Sequence, residues 1–133
     1  MHLRLLFLGL LLFSNPALAQ DEPQPGHRNI DLMWACQGRG DNYKIASESN
    51  MDAEFFGTFD LLGCLEYLAG VSDMNAVFQA VTERGLFCFP EQGLPSEQQA
   101  RVFLKWAEAN PEELHKNRRS GVVIAFANAF PCN

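Results

Sequence analysis

The sequence predicts an all-α fold, a small bundle of four or five helices stapled by two disulfides, and three observations lead there. Apolar residues recur at spacings of three and four over most of the chain beyond residue 29, and no stretch of strict alternation competes with them. Helix-start chemistry stands at two places, Ser96 with Gln99 and Asn110-Pro111-Glu112-Glu113. Four cysteines follow an export-type leader, an even set where oxidation is permitted.

That leader fills residues 1–19. Arg4 lies in the n-region, residues 5–13 form an apolar run, and Ala17-Leu18-Ala19 supplies the small residues of a cleavage site before Gln20. The apolar run is far shorter than the roughly 20 residues a membrane-spanning helix needs. No cysteine adjoins the cleavage point to take a lipid. The expectation is therefore cleavage after Ala19 and a soluble periplasmic product with no stable membrane anchor. Residues 20–28 carry two prolines and a glycine and read as a flexible leader, and 29–133 read as one helical domain. Cleavage removes Arg4 and no acid, taking the formal charge from −6 to −7. This argues against nucleic acid and anionic membrane as partners and is compatible with a basic protein.

Asn29 is placed to cap a helix over 30–37 that Gly38 stops. Residues 38–50 are polar and glycine-containing, and a surface loop is expected there. From Asp52 a long rhythm runs through Phe55, Phe59, Leu62, Tyr67, Val71, Met74, Phe78 and Val81 to Gly85. Thirty helical residues measure about 45 Å, so a kink near Gly63 or Gly70 is expected, and these two glycines read as sites of close helix packing. A loop over 86–95 is pinned by Cys88. Ser96 and Gln99 then make a capping box for a helix over 97–109, with Ala100, Phe103, Leu104 and Ala107 inward. The last helix starts at Asn110-Pro111 and presents Leu114, Val122, Ala125, Phe126 and Ala129 to the core.

Catalytic groups do not converge. His27 falls in the leader, His115 reads as a surface or capping side chain, and paired cysteines leave no free thiol. Glu108, Glu112 and Glu113 gather at a helix junction, where negative charge suits a helix N-terminus. No metal spacing or phosphate loop is present, so no cofactor is expected. Asp73 is the carboxylate set deepest in apolar sequence and reads as structural. Of three possible cysteine pairings, Cys36 with Cys64 and Cys88 with Cys132 is favoured. The aromatics are too many for single helical faces, and Phe55, Phe56, Tyr43 and Trp106 include candidates for an interface.

Four segments stand in order: Gly63-Cys64-Leu65-Glu66-Tyr67-Leu68-Ala69-Gly70-Val71-Ser72-Asp73, Phe87-Cys88-Phe89-Pro90, Asn110-Pro111-Glu112-Glu113-Leu114-His115 and Ala129-Phe130-Pro131-Cys132. Together they resemble the Rap/Tai-type immunity proteins of type VI secretion. The likeness covers roughly 62–132, with Glu66 standing where the family usually has glycine. It implies a periplasmic, all-helical, non-enzymatic protein, often a homodimer, that neutralises a peptidoglycan amidase effector. An immunity protein needs a rigid projection that fills a cleft, and disulfides preorganise such a shape. The candidate projections are 38–50 with Tyr43 and the Cys88-pinned segment with Phe89, Glu91 and Gln92. The alternative is a periplasmic binding or stress-response protein, chaperone-like, on the same scaffold.

Overall fold

In the computed structural model, which describes residues 24–133, the helical rhythm resolves into five α-helices: α1 Asn29–Cys36, α2 Asp41–Glu48, α3 Ala53–Thr82, α4 Ser96–Ala109 and α5 Arg118–Ala129. A 3-10 turn, Pro111–Glu113, precedes the last. Among the described residues there is no strand, only one antiparallel bridge between Arg28 and Asn117. The export leader, its cleavage point and residues 20–23 lie outside the described residues. Where the chain enters the fold it is tied. Gly26 N–H donates to Asp31 at 2.9 Å, and Arg118 donates to the Gly26 carbonyl at 2.9 Å.

Arg28, not Asn29, caps α1. The Arg28 amide and guanidinium both donate to the Asp31 carboxylate. Burial alone would raise the Asp31 pKa, but these bonds and the guanidinium charge outweigh it and hold the carboxyl below its ordinary range. Asn29 is inside the helix and buried, donating to the Glu113 carbonyl at 2.7 Å. Its Oδ1 packs against Gly121 of α5, in space that any side chain at 121 would occupy.

The expected loop at 38–50 is instead α2, for a reason that lies in α3. Asp60 is buried, and its carboxylate accepts the amides of Asn42 and Tyr43 at 3.3 and 2.9 Å and the Asn42 side chain at 3.0 Å. It therefore caps α2 across the fold, satisfying N–H groups that no residue of the segment itself could reach. The buried acid of α3 is thus Asp60, whereas Asp73 is exposed. Gly38 ends α1 with a φ of +67° and lays its carbonyl against Gly57, where a Cβ has no room. Just beside this crossing the Cys36–Cys64 disulfide bonds α1 to α3 inside the core.

α3 runs unbroken through Gly63 and Gly70, and both glycines face open space instead of packing against a helix. It ends at Glu83, which takes the left-handed conformation at φ +58°, two residues before Gly85. Asn75, buried on α3, donates to the Phe87 carbonyl at 2.9 Å and accepts the Leu86 amide at 2.8 Å, folding the chain back onto the helix. The anticipated capping box at α4 does not form. Pro95 precedes the helix, and Gln99 turns inward to accept from Ser72 at 2.8 Å and donate to the Leu94 carbonyl at 2.7 Å. Ala100, Phe103, Trp106 and Ala107 form the buried face of α4, so Trp106 belongs to the core.

The single last helix expected from Asn110 is split. Residues 114–117 give their backbone groups to the N-terminal entry: Asn29 and Ile30 amides donate to the Lys116 and Leu114 carbonyls, and Arg118 N–H donates to the His27 carbonyl. A continuing helix would have claimed those carbonyls for itself. Asn117 then caps α5, which buries Val122, Ala125 and Phe126 and leaves Ala129 exposed. Cys88 and Cys132 form the second disulfide, closing the C-terminus onto the segment after α3.

On chain entropy alone the two crosslinks stabilise by roughly 3 to 4 kcal/mol each, the longer Cys88–Cys132 loop slightly more. Cys36 and Cys64 are also core side chains. Replacing Cys36 and Cys64 by alanine is therefore expected to cost more than replacing Cys88 and Cys132, reversing the order set by loop length. Urea unfolding of the two double variants measures this, and a larger loss from the second pair would refute it.

Candidate interaction surface

The titratable side chains are dispersed or already engaged. His27 and His115 are exposed, Glu113 pairs with Lys116 at 2.6 Å, and all four cysteines are bonded. Among the described residues no group of three His, Cys, Asp or Glu side chains is arranged to hold a metal ion. The features that remain are surfaces.

Tyr43 and the 89–92 segment lie at opposite ends of α3. Tyr43 packs its ring edge over Gly57 and lines a mixed cleft of about 320 Å³ with Gln37, Arg39, Glu54 and Leu61. Beside it Lys44 Nζ stands 3.8 Å from the centre of the Trp34 ring, a cation–π contact. At the other end Phe89 is half-buried among Phe87, Phe126 and Phe130, with ring centres 4.9 to 5.2 Å apart. Glu91 and Gln92 are exposed in a turn that the Gly93 amide closes on the Pro90 carbonyl at 2.8 Å, with Gly93 at φ +76°. Their anchors, Asp60 and Asn75, are 15 residues apart on one helix, or about 22 Å at 1.5 Å per residue. One copy therefore does not bring the two candidate projections together.

The motif residues divide between architecture and surface. Leu114 packs on the core, Phe130 stacks edge-on against Phe89, and Pro111 opens the 3-10 turn. Pro90, Glu112, His115 and Pro131 are exposed.

What the sequence reading missed is on α3. The apolar rhythm from Phe55 onward gives the helix but not which way its face points, and Phe55, Phe59, Leu62, Met74, Phe78 and Val81 are all exposed. The inward face carries Gly57, Asp60, Cys64, Leu68 and Asn75 instead, a mixture whose polar members hide it from an apolar pattern search. Between α3 and α5 this outer surface deepens into an apolar groove of about 630 Å³, lined by Tyr67, Gly70, Met74, Phe78, Leu86 and Val123. Glu66 and Arg119 are its charged lining residues. Tyr67 bears the Arg118 guanidinium 4.3 Å from its ring centre, and its buried hydroxyl has no hydrogen-bond partner among the described residues. Burial pushes the Tyr67 pKa up, against the opposing charges of Arg118 and Arg119.

The described residues thus form a small disulfide-braced helical bundle with an exposed apolar helix face and two clefts on its surface. The family model of the Rap1a immunity proteins matches residues 30–132, and the chain belongs to that family. No curated protein matches it. The match takes in both disulfides and all five helices but for the first residue of α1.

Because the Tyr67 hydroxyl is buried without a partner, removing it leaves the packing and lifts a desolvation cost. Tyr67→Phe is expected to leave stability unchanged or raise it by up to about 1 kcal/mol. Chemical denaturation measures this, and a loss beyond about 1 kcal/mol would show that the hydroxyl is bonded in solution.

Proposed function

We propose that the chain is exported to the periplasm, loses residues 1–19, and there binds and blocks a peptidoglycan amidase delivered by type VI secretion. The observation that carries this reading is the Rap1a immunity match across nearly the whole described domain. Export is supported by the order of charged, apolar and small residues in 1–19, and two disulfides suit an oxidising compartment. The amidase target is supported by the four-motif resemblance and by the place where the wall is cut.

Such a protein works by complementarity. Its disulfides and buried polar anchors fix backbone that would otherwise have to be ordered on binding, so less of the contact energy is spent on ordering. The net negative charge favours encounter with a basic cleft. Tyr43 with Trp34 and Lys44 forms one corner, and Glu91 with Gln92 forms a polar turn shortly after Cys88. Either is suited to enter a substrate groove.

Calorimetry of the oxidised chain against peptidoglycan amidases delivered by type VI secretion tests the reading, together with peptidoglycan release. Binding in the nanomolar range and full inhibition are expected, with at least a tenfold loss of affinity for Tyr43→Ala or for Glu91→Lys with Gln92→Ala. No binding at micromolar concentrations, or binding without inhibition, would contradict it.

A further inference from the structure

The mixed cleft beside Tyr43 does not stand alone. It shares Gln37, Arg39 and Tyr43 with a smaller cleft of about 270 Å³, which Trp34 and Lys44 complete. Trp34 belongs to α1, Arg39 to the connection that follows, and Tyr43 and Lys44 to the first turn of α2. The Arg39 amide donates to the Trp34 carbonyl at 2.8 Å, and Asp60, the Gly38–Gly57 crossing and the Cys36–Cys64 disulfide hold the helices in place. The corner is therefore formed before any ligand arrives.

Its two cations are uncommitted. Among the described residues neither Arg39 nor Lys44 has an ion-pair partner. Asp41 and Glu48 stand three and four residues from Lys44 on the same helix, the spacing at which ion pairs form, yet the Lys44 ammonium turns to the Trp34 ring. Glu54 lines the larger cleft but not the smaller one. Backbone at the start of α2 is not the source of positive charge, since Asp60 already accepts the amides of Asn42 and Tyr43. Two side chains supply it, beside two aromatic rings, in a chain whose formal net charge is −6.

We propose that this corner binds an acidic segment of the partner protein, one carboxylate settling between Arg39 and Lys44 and an apolar neighbour entering the larger cleft against Tyr43 and Leu61. The planar fork of Arg39 matches a carboxylate, and Lys44 adds a second charge from the other side of the smaller cleft. Gln37, shared by both clefts, offers the amide donor and acceptor that a peptide backbone requires. The acidic remainder of the chain draws a basic surface, and a single acid set within that surface fixes the register of docking here. The assignment of the segment to a partner protein rests on the immunity reading, whereas the chemistry of the pocket does not.

The pocket is tested first without an effector. Titration of the oxidised chain with acetyl-Glu-Leu-amide, followed through the Trp34 indole N–H resonance, is expected to saturate with a dissociation constant on the order of a millimolar. Acetyl-Gln-Leu-amide is expected to bind at least tenfold more weakly, and Arg39→Glu or Lys44→Glu to remove binding of the acidic peptide with the far-UV circular dichroism unchanged. No saturable response, an equal response to the glutamine peptide, or tighter binding of inorganic phosphate or of a soluble peptidoglycan fragment would each overturn the proposal. With an amidase that the chain binds, the variant carrying both charge reversals is expected to lose affinity at least tenfold. Full or increased affinity in that variant overturns the proposal and leaves the immunity reading standing. Absence of amidase binding by the unaltered chain contradicts the immunity reading instead, and the peptide titration then decides the pocket.

Discussion

The corner where α1, α2 and α3 meet turns on the Asp60 carboxylate. It is buried, it comes from the middle of the bundle, and it accepts three N–H donors from the start of α2. A buried charge is tolerated only when it is well hydrogen-bonded, and the first turn of a helix offers an array of amides with no other partner. Each need answers the other. The Gly38–Gly57 crossing and the Cys36–Cys64 disulfide then fix the distance at which the exchange takes place. Tyr43 and Lys44 hold their places because α2 does.

The same device recurs along the inward face of α3. Asn75 satisfies the backbone at 86–87, and Ser72 with Gln99 ties α3 to the entry of α4 at Leu94. A carboxylate, a hydroxyl and an amide, placed at intervals on one helix, hold the irregular backbone that apolar packing alone cannot organise. Bonds of this kind are directional, so they select one arrangement of the connecting segments, while Leu68, Phe103 and Phe126 supply the undirected burial. The outer face of α3 is thereby left free to carry large apolar residues with no duty inside the monomer.

The fold class, the presence of two disulfides, the start of α3 at Asp52 and the inward residues Ala100, Phe103 and Ala107 were legible in the sequence, because each depends on local pattern or on cysteine count, and the favoured one of three pairings is the one formed. What was not legible depends on distant partners. Residues 38–50 have the composition of a loop and become a helix only through Asp60. Residues 110–117 carry good helix-start signals and are diverted because the amides of Asn29 and Ile30 take the carbonyls of Lys116 and Leu114. The α3 rhythm is legible as helical, but its outward placement is not, since periodicity gives the face and not its direction. Of the candidate site, Tyr43, Glu91 and Gln92 proved accessible, at two separate ends, while Phe89 is largely committed to an aromatic cluster. The groove beside Tyr67 has no local sequence signature, because it arises from the spacing between α3 and α5.

Membership of the Rap1a immunity family gives this architecture its sense: binding requires a shape held in advance, and here the shape is held by a few buried polar contacts and two crosslinks. The most direct test is amide hydrogen exchange on the Asp60→Asn variant, which keeps the size of the side chain and removes its charge. If Asp60 holds α2, the amides of Asn42, Tyr43 and the rest of α2 exchange about a hundredfold faster or more, while those of α4 and α5 keep their protection. Unchanged exchange throughout α2 would contradict the account and assign that corner to the disulfide and the glycine crossing alone.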